Sequence, residues 1–248
     1  MLERAALSLT IRHLESRTSA ECSCENGLPM SDANPINFAA DETLTAKPSQ
    51  TRDSGRYPFA HALLFTGHMI DIPGRKQPRF PAHAEQRARA AIRKSVAEMR
   101  WTHPGPTIGL AAAASGGDIL FHETCAELGI ATRIMLALPV DEFVAASVAP
   151  AGRDWVTRFH DLLAARGPDN LCIMSSGDGL SEGETGNIWQ RANLWMIDEA
   201  VALAPERALL ALWDGARGDG PGGTEYFLQT APRFDIRIVP PIQMQSLL

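Results

Sequence analysis

The chemistry-bearing residues of this chain gather in a few short segments: Gly67-His68, Arg75 and Arg79, Ser115-Gly116-Gly117-Asp118, and Asp214 through Thr224. Ser115-Gly116-Gly117 joins an apolar run to a helical pattern. Glycine lets a backbone approach a ligand closely, and the amides of a first helical turn favour an anion. The same residues also read as a tight strand–helix turn, with Asp118 suited to the helix dipole. Gly220-Pro221-Gly222-Gly223-Thr224 precedes a second helical pattern, Glu225–Ala231. Two such turns on neighbouring strands can enclose a phosphate or phosphoribose, although a glycine-rich surface loop needs no ligand. His68 reads as a catalytic helper or as a structural hydrogen-bonder. Arg75 and Arg79 read as contacts to an anion or as solvated surface charge. Trp213, at a strand end, offers a face for a base.

Other motifs are missing. There is no G-x-G-x-x-G fingerprint, no Walker lysine and no G-x-S-x-G elbow. His122-Glu123 is followed by Ala126 where a zinc motif needs histidine, and Cys22, Cys24, Cys125 and Cys172 lack paired C-x-x-C spacing, so no metal site is expected.

The elements that position these residues follow from periodicity. Six short apolar runs, at 62–66, 107–111, 132–138, 170–175, 208–213 and 235–240, read as strands covered on both faces. Helical patterns at 83–100, 117–128, 153–166 and 187–204 lie between them. Ala84, Ala88, Ile92, Val96 and Met99 form one stripe. The alternation predicts an α/β fold with a doubly wound, mostly parallel sheet, helices on both faces and right-handed crossovers. In such sheets ligands bind beyond the carboxyl ends of the strands, where the polar segments fall. Residues 1–55 read as a polar, disordered segment with a short helix over 2–15, and 56–242 as the folded domain.

The 248 residues carry a net charge of −6 and 45% hydrophobic residues, an ordinary globular composition. The acidic balance argues against a duplex nucleic-acid partner. No apolar stretch reaches membrane-spanning length and no signal peptide is evident, so a cytoplasmic location is expected.

Several segments together carry a resemblance: Phe65-Thr66-Gly67-His68-Met69-Ile70-Asp71, Pro78-Arg79-Phe80-Pro81, Ala114-Ser115-Gly116-Gly117-Asp118, Arg191-Ala192-Asn193, and Trp213-Asp214-Gly215 with Gly220-Pro221-Gly222-Gly223-Thr224. In this order they resemble the SLOG (Smf/DprA–LOG) superfamily of Rossmann-like domains, and among them the TRAFs-associated branch. The resemblance covers residues 57–240. It implies a nucleotide-derived ligand held by Gly67, Ser115, Gly116, Gly117, Asp118, Gly222, Gly223 and Thr224, with Glu123 as a further polar contact and no other cofactor. It also implies a signalling or effector partner in a prokaryotic conflict or stress system, with oligomerisation open. LOG-type phosphoribohydrolases read G-G-x-G-T-x-x-E, whereas Gly222-Gly223-Thr224 lacks the x-Gly and Phe227 stands at the acid position. The expectation is therefore a ligand-binding sensor. The alternative is an N-glycosidase acting on a nucleotide or NAD-type substrate, drawing its carboxylate from Asp118, Glu123 or Glu225 with His68 as helper. A scaffold docking through residues 1–55 is the third reading.

Overall fold

The computed structural model describes residues 57–102, 105–175, 187–216, 222–231 and 234–239, all within the unit Thr51–Leu248. The readings of residues 1–55 and of Gly220 and Pro221 lie outside these. Six strands form one parallel sheet: β1 (His61–Gly67), β2 (Thr107–Ala111), β3 (Ala131–Leu136), β4 (Leu171–Ile173), β5 (Glu206–Leu212) and β6 (Asp235–Val239), in the order β4-β3-β2-β1-β5-β6. The helices are α1 (Glu85–Thr102), α2 (Gly117–Glu127), α3 (Val140–Ser147), α4 (Arg153–Arg166), α5 (Ile188–Leu203) and α6 (Thr224–Thr230). This is the doubly wound, Rossmann-like α/β arrangement expected.

Alternation along β1 shows how the layers form. Leu63 and Phe65 face a core shared with α1, α2 and α4, while Ala62 and Leu64 face a second core with α5 and α6. Burying each large side chain contributes about 1.5–3 kcal/mol, which makes this two-faced strand the centre of the fold. The whole α1 stripe from Ala84 to Met99 is buried. Strand order explains the split. The chain steps outward from β1 to β4 on one side, then returns past β1 to β5 and β6. A right-handed crossover that reverses its direction of travel must put its helix on the opposite face, which is where α5 and α6 lie.

α3 was not anticipated. Pro139-Val140-Asp141-Glu142 reads as a loop after β3, but it opens a helix of eight residues in which Phe143 and Ser147 are buried. His122 is a core group. Its Nε2–H donates to the Ala112 carbonyl and its Nδ1 accepts from the Thr132 hydroxyl, both at 2.8 Å. Burial lowers its pKa to about 4, so the ring stays neutral and pins the chain leaving β2.

Candidate functional site

The order of strands reverses between β1 and β5, and the segments leaving these two strands diverge to opposite sides of the sheet. A crevice at that point is a consequence of topology. Here it is a cleft of about 490 Å³, lined by Gly67, His68, Asp71, Arg75 and Arg79 after β1, by Ala112, Ala114 and Asp118 after β2, by Phe143 and Ala146 of α3, by Trp189, Ala192, Asn193 and Met196 of α5, and by Trp213, Gly222, Gly223, Thr224 and Glu225.

Three side chains tie the β1 and β5 exits together. The Arg79 guanidinium forks onto Asp214, with Nε 3.0 Å from Oδ2 and Nη2 2.9 Å from Oδ1, and Nη2 also donates to the Ala216 carbonyl at 2.9 Å. His68 Nε2 accepts from the Asp214 amide at 3.2 Å and lies 3.1 Å from its carboxylate. Burial lowers the His68 pKa, and the Arg79 charge lowers it further against the opposing pull of Asp214. The ring is thus neutral at pH 7, with its proton on Nδ1. Asp214 is held far below the usual carboxylate range by its bonds to Arg79. Asp71 shapes the loop between these residues: its Oδ2 accepts from the amides of Arg79 and Phe80 at 2.8 and 2.9 Å. Asp214 thus closes the wall of the cleft behind His68 and Arg79, which line it.

Removing the fork has an expected signature. Arg79→Ala takes away the cation that depresses His68 and leaves Asp214 beside it, so the His68 pKa should rise in an NMR titration of the ring. The loss of a two-pronged, charge-assisted contact should also cost about 2 kcal/mol of stability by chemical denaturation.

Asp118 stands on the first turn of α2 and lines the cleft. Its Oδ2 accepts from the Ala114 amide at 3.1 Å. Burial lifts its pKa to about 7, and the single amide bond only partly offsets this. A carboxyl that changes charge near neutrality can donate to a ligand in one state and accept in the other.

Gly222 holds the far wall. Its φ is +83°, and a Cβ there would stand 2.6 Å from the Trp189 Cβ and 2.7 Å from the Gln190 amide nitrogen. Asn193 of α5 donates from Nδ2 to the Gly222 carbonyl at 2.8 Å. Gly223 then caps α6 with no side-chain bond, so the amino end of α6 opens among the cleft residues.

The Ser115-Gly116-Gly117 turn corrects an expectation. It does not line the cleft. The Ser115 amide donates to the Ser147 carbonyl at 2.9 Å and the Gly117 amide to the His68 carbonyl at 3.0 Å, while the Ile70 amide donates to the Ser115 carbonyl at 3.0 Å. Met69 and Gly116 form an antiparallel bridge. Amides spent on these carbonyls cannot cradle a phosphate, so the turn is a joint that fastens the β1 exit to α2. Glu123 is also displaced from its expected role. It points between helices, where Arg158 Nε and Nη2 each lie 2.8 Å from it and Arg89 Nη1 lies 2.5 Å from it. Burial opposes ionisation there, but the two guanidiniums hold its carboxyl below the ordinary range.

Reading along the chain missed the α5 wall. Trp189 reads as core, and Asn193 appears only within a motif. A buried asparagine on an otherwise apolar helical stripe was the available signal, since burying an amide requires a partner.

Among the described residues no His, Cys, Asp and Glu cluster is placed to hold a metal ion, and no helix is long and apolar enough to cross a membrane. No described protein family matches the chain, and no curated protein does. Among solved structures, similarity is found to Streptococcus suis SuiB bound to S-adenosylmethionine, at 9% identity and a TM-score of 0.27, covering 78% of this chain and 41% of that one. The chain thus spans less than half of that protein, and a likeness this slight says nothing about what occupies the cleft.

Proposed function

We propose that the cleft between the β1 and β5 exits binds a nucleotide-derived ligand and that the protein acts as its sensor, the role implied by the SLOG resemblance. One observation carries the reading: a cleft of about 490 Å³, within the ordinary range for small-molecule sites, collects polar groups from five segments at the topological switch point. In this reading the glycine turn at Gly222 and Gly223, with Thr224, takes the phosphate. Asp118 meets a sugar hydroxyl, and Trp189 and Trp213 offer aromatic faces to the base. The ligand signals by bridging the His68–Arg79–Asp214 side to the α5–α6 side, and an effector protein reads that change. A thermal-shift series against nucleotides, cyclic oligonucleotides and ADP-ribose derivatives tests this. At least one should raise the melting temperature of the wild type, and none should raise that of Ala146→Trp, which fills the cleft from the exposed face of α3.

A second reading, nucleotide N-glycosidase, is favoured by Asp118. A carboxyl with a pKa about 7 on a cleft wall suits a general acid or base, and Glu225 lines the same cleft. Release of free base from a nucleotide, abolished in Asp118→Asn, would promote this reading over the sensor.

A further inference from the structure

β6 is one of the two edge strands of the sheet among the described residues, and its only charges are one Asp and one Arg, of opposite sign. Within Asp235–Val239 there is no proline, no lysine and no bulge. An edge left in this state is a template for another strand.

The backbone parity of β6 can be read from its pairing with β5. The Trp213 amide donates to the Val239 carbonyl at 3.0 Å, so Asp235, Arg237 and Val239 turn their backbone groups inward to β5. Ile236 and Ile238 turn theirs outward. The side chains divide the same way. Val239 joins the core that contains α1, and Arg237 lies 3.7 Å from Glu98 of α1. Ile236 and Ile238 therefore project on the opposite face, where they are 38% and 51% exposed. Large, half-exposed apolar side chains beside backbone donors with no partner among the described residues invite another strand.

The sequence around this edge is self-complementary. We infer that two copies of the chain associate by antiparallel pairing of their β6 strands about a two-fold axis at Ile236, extending the sheet across both. In that register Ile236 faces Ile236 of the other copy and Phe234 faces Ile238, both as hydrogen-bonded pairs formed by the outward amides and carbonyls. Asp235 faces Arg237 twice, in the non-hydrogen-bonded positions where opposed side chains come closest. The present contacts of Arg237, to Glu98 and to Asp235 on its own strand, are both 3.7 Å long and leave the guanidinium available to cross the axis. In the sequence Pro232 and Pro240 stand four residues either side of Ile236. Prolines have no N–H to give, so the ladder ends at the same place on both sides of the axis. Other registers break this match: an axis at Arg237 would set like charges against each other.

A charge-exchange experiment on the full chain tests the pairing by sedimentation equilibrium over a concentration series. The wild type should approach twice 26.9 kDa. Asp235→Arg sets arginine against arginine, and Arg237→Asp sets aspartate against aspartate. Each alone should weaken association about tenfold or more. An equimolar mixture of the two single variants pairs Arg with Asp at both positions, so it should recover the wild-type mass, as should the double exchange. Recovery in the mixture also shows that both variants are folded. A wild type that stays monomeric, single variants that dimerise unchanged, or a mixture that fails to recover would each overturn the inference.

Discussion

Asp118→Asn should stabilise the protein at pH 8 and leave it nearly unchanged at pH 4. The reasoning turns on the proton. An unfolded aspartate ionises near pH 3.9, whereas Asp118 in the folded chain does so only at about 7. Below pH 3.9 both states carry the proton and no difference arises. Between those values the folded state keeps a proton that the unfolded state has released, so stability falls as pH rises. The fall levels off above pH 7, at about 4 kcal/mol for a shift of this order. Asparagine preserves the acceptor for the Ala114 amide and removes the ionisation. The difference in unfolding free energy between variant and wild type should therefore grow from pH 4 to 7 and then plateau. Two effects compete at this residue, and their sizes decide the sign. The dipole of α2 favours the carboxylate by about 0.3–1 kcal/mol, which burial exceeds severalfold. If the dipole dominated instead, the variant would be the less stable protein at pH 8.

Gly116→Val should cost the fold more than any single change in the cleft. The residue has φ +105° and ψ −122°, a region that only glycine enters without strain of about 1–3 kcal/mol. The added Cβ would lie 2.5 Å from the Ile70 amide nitrogen and 2.9 Å from the His68 carbonyl oxygen. Both are backbone atoms fixed by the β1 exit, so the clash cannot be relieved by turning a side chain, and overpacking adds about 1–3 kcal/mol. A loss of about 3–5 kcal/mol is expected, read as a lower urea midpoint and a lower melting temperature. Gly74→Ala supplies the contrast. That glycine also has positive φ, +82°, but nothing lies within 4 Å of its Cβ position. Only the strain remains, and the cost should be about 1 kcal/mol.

The fold was legible because its evidence is local and repeated. Each buried strand is a short apolar run, and the α1 stripe recurs every three or four residues through two-thirds of the helix. α3 escaped for the complementary reason: eight residues with two buried side chains carry too little period to separate a helix from a loop. The cleft was legible in part. Rules about strand ends identify which segments reach the carboxyl edge, and His68, Arg79, Asp118 and Gly222–Thr224 do arrive there. They do not say which backbone groups are already occupied. Ser115-Gly116-Gly117 has the composition of an anion cradle, yet the Ser115 and Gly117 amides are claimed by the carbonyls of Ser147 and His68, far away in sequence. The same blindness applies to Glu123, whose position on α2 is readable but whose two arginines come from α1 and α4.

Isothermal titration of the wild-type protein and of Ala146→Trp, with the nucleotide derivative that shifts the melting temperature most, tests the central claim most directly. Saturable binding to the wild type at one site per chain, lost in the variant while its circular dichroism is unchanged, is the predicted result. Equal binding by both proteins would place the ligand elsewhere and contradict the account.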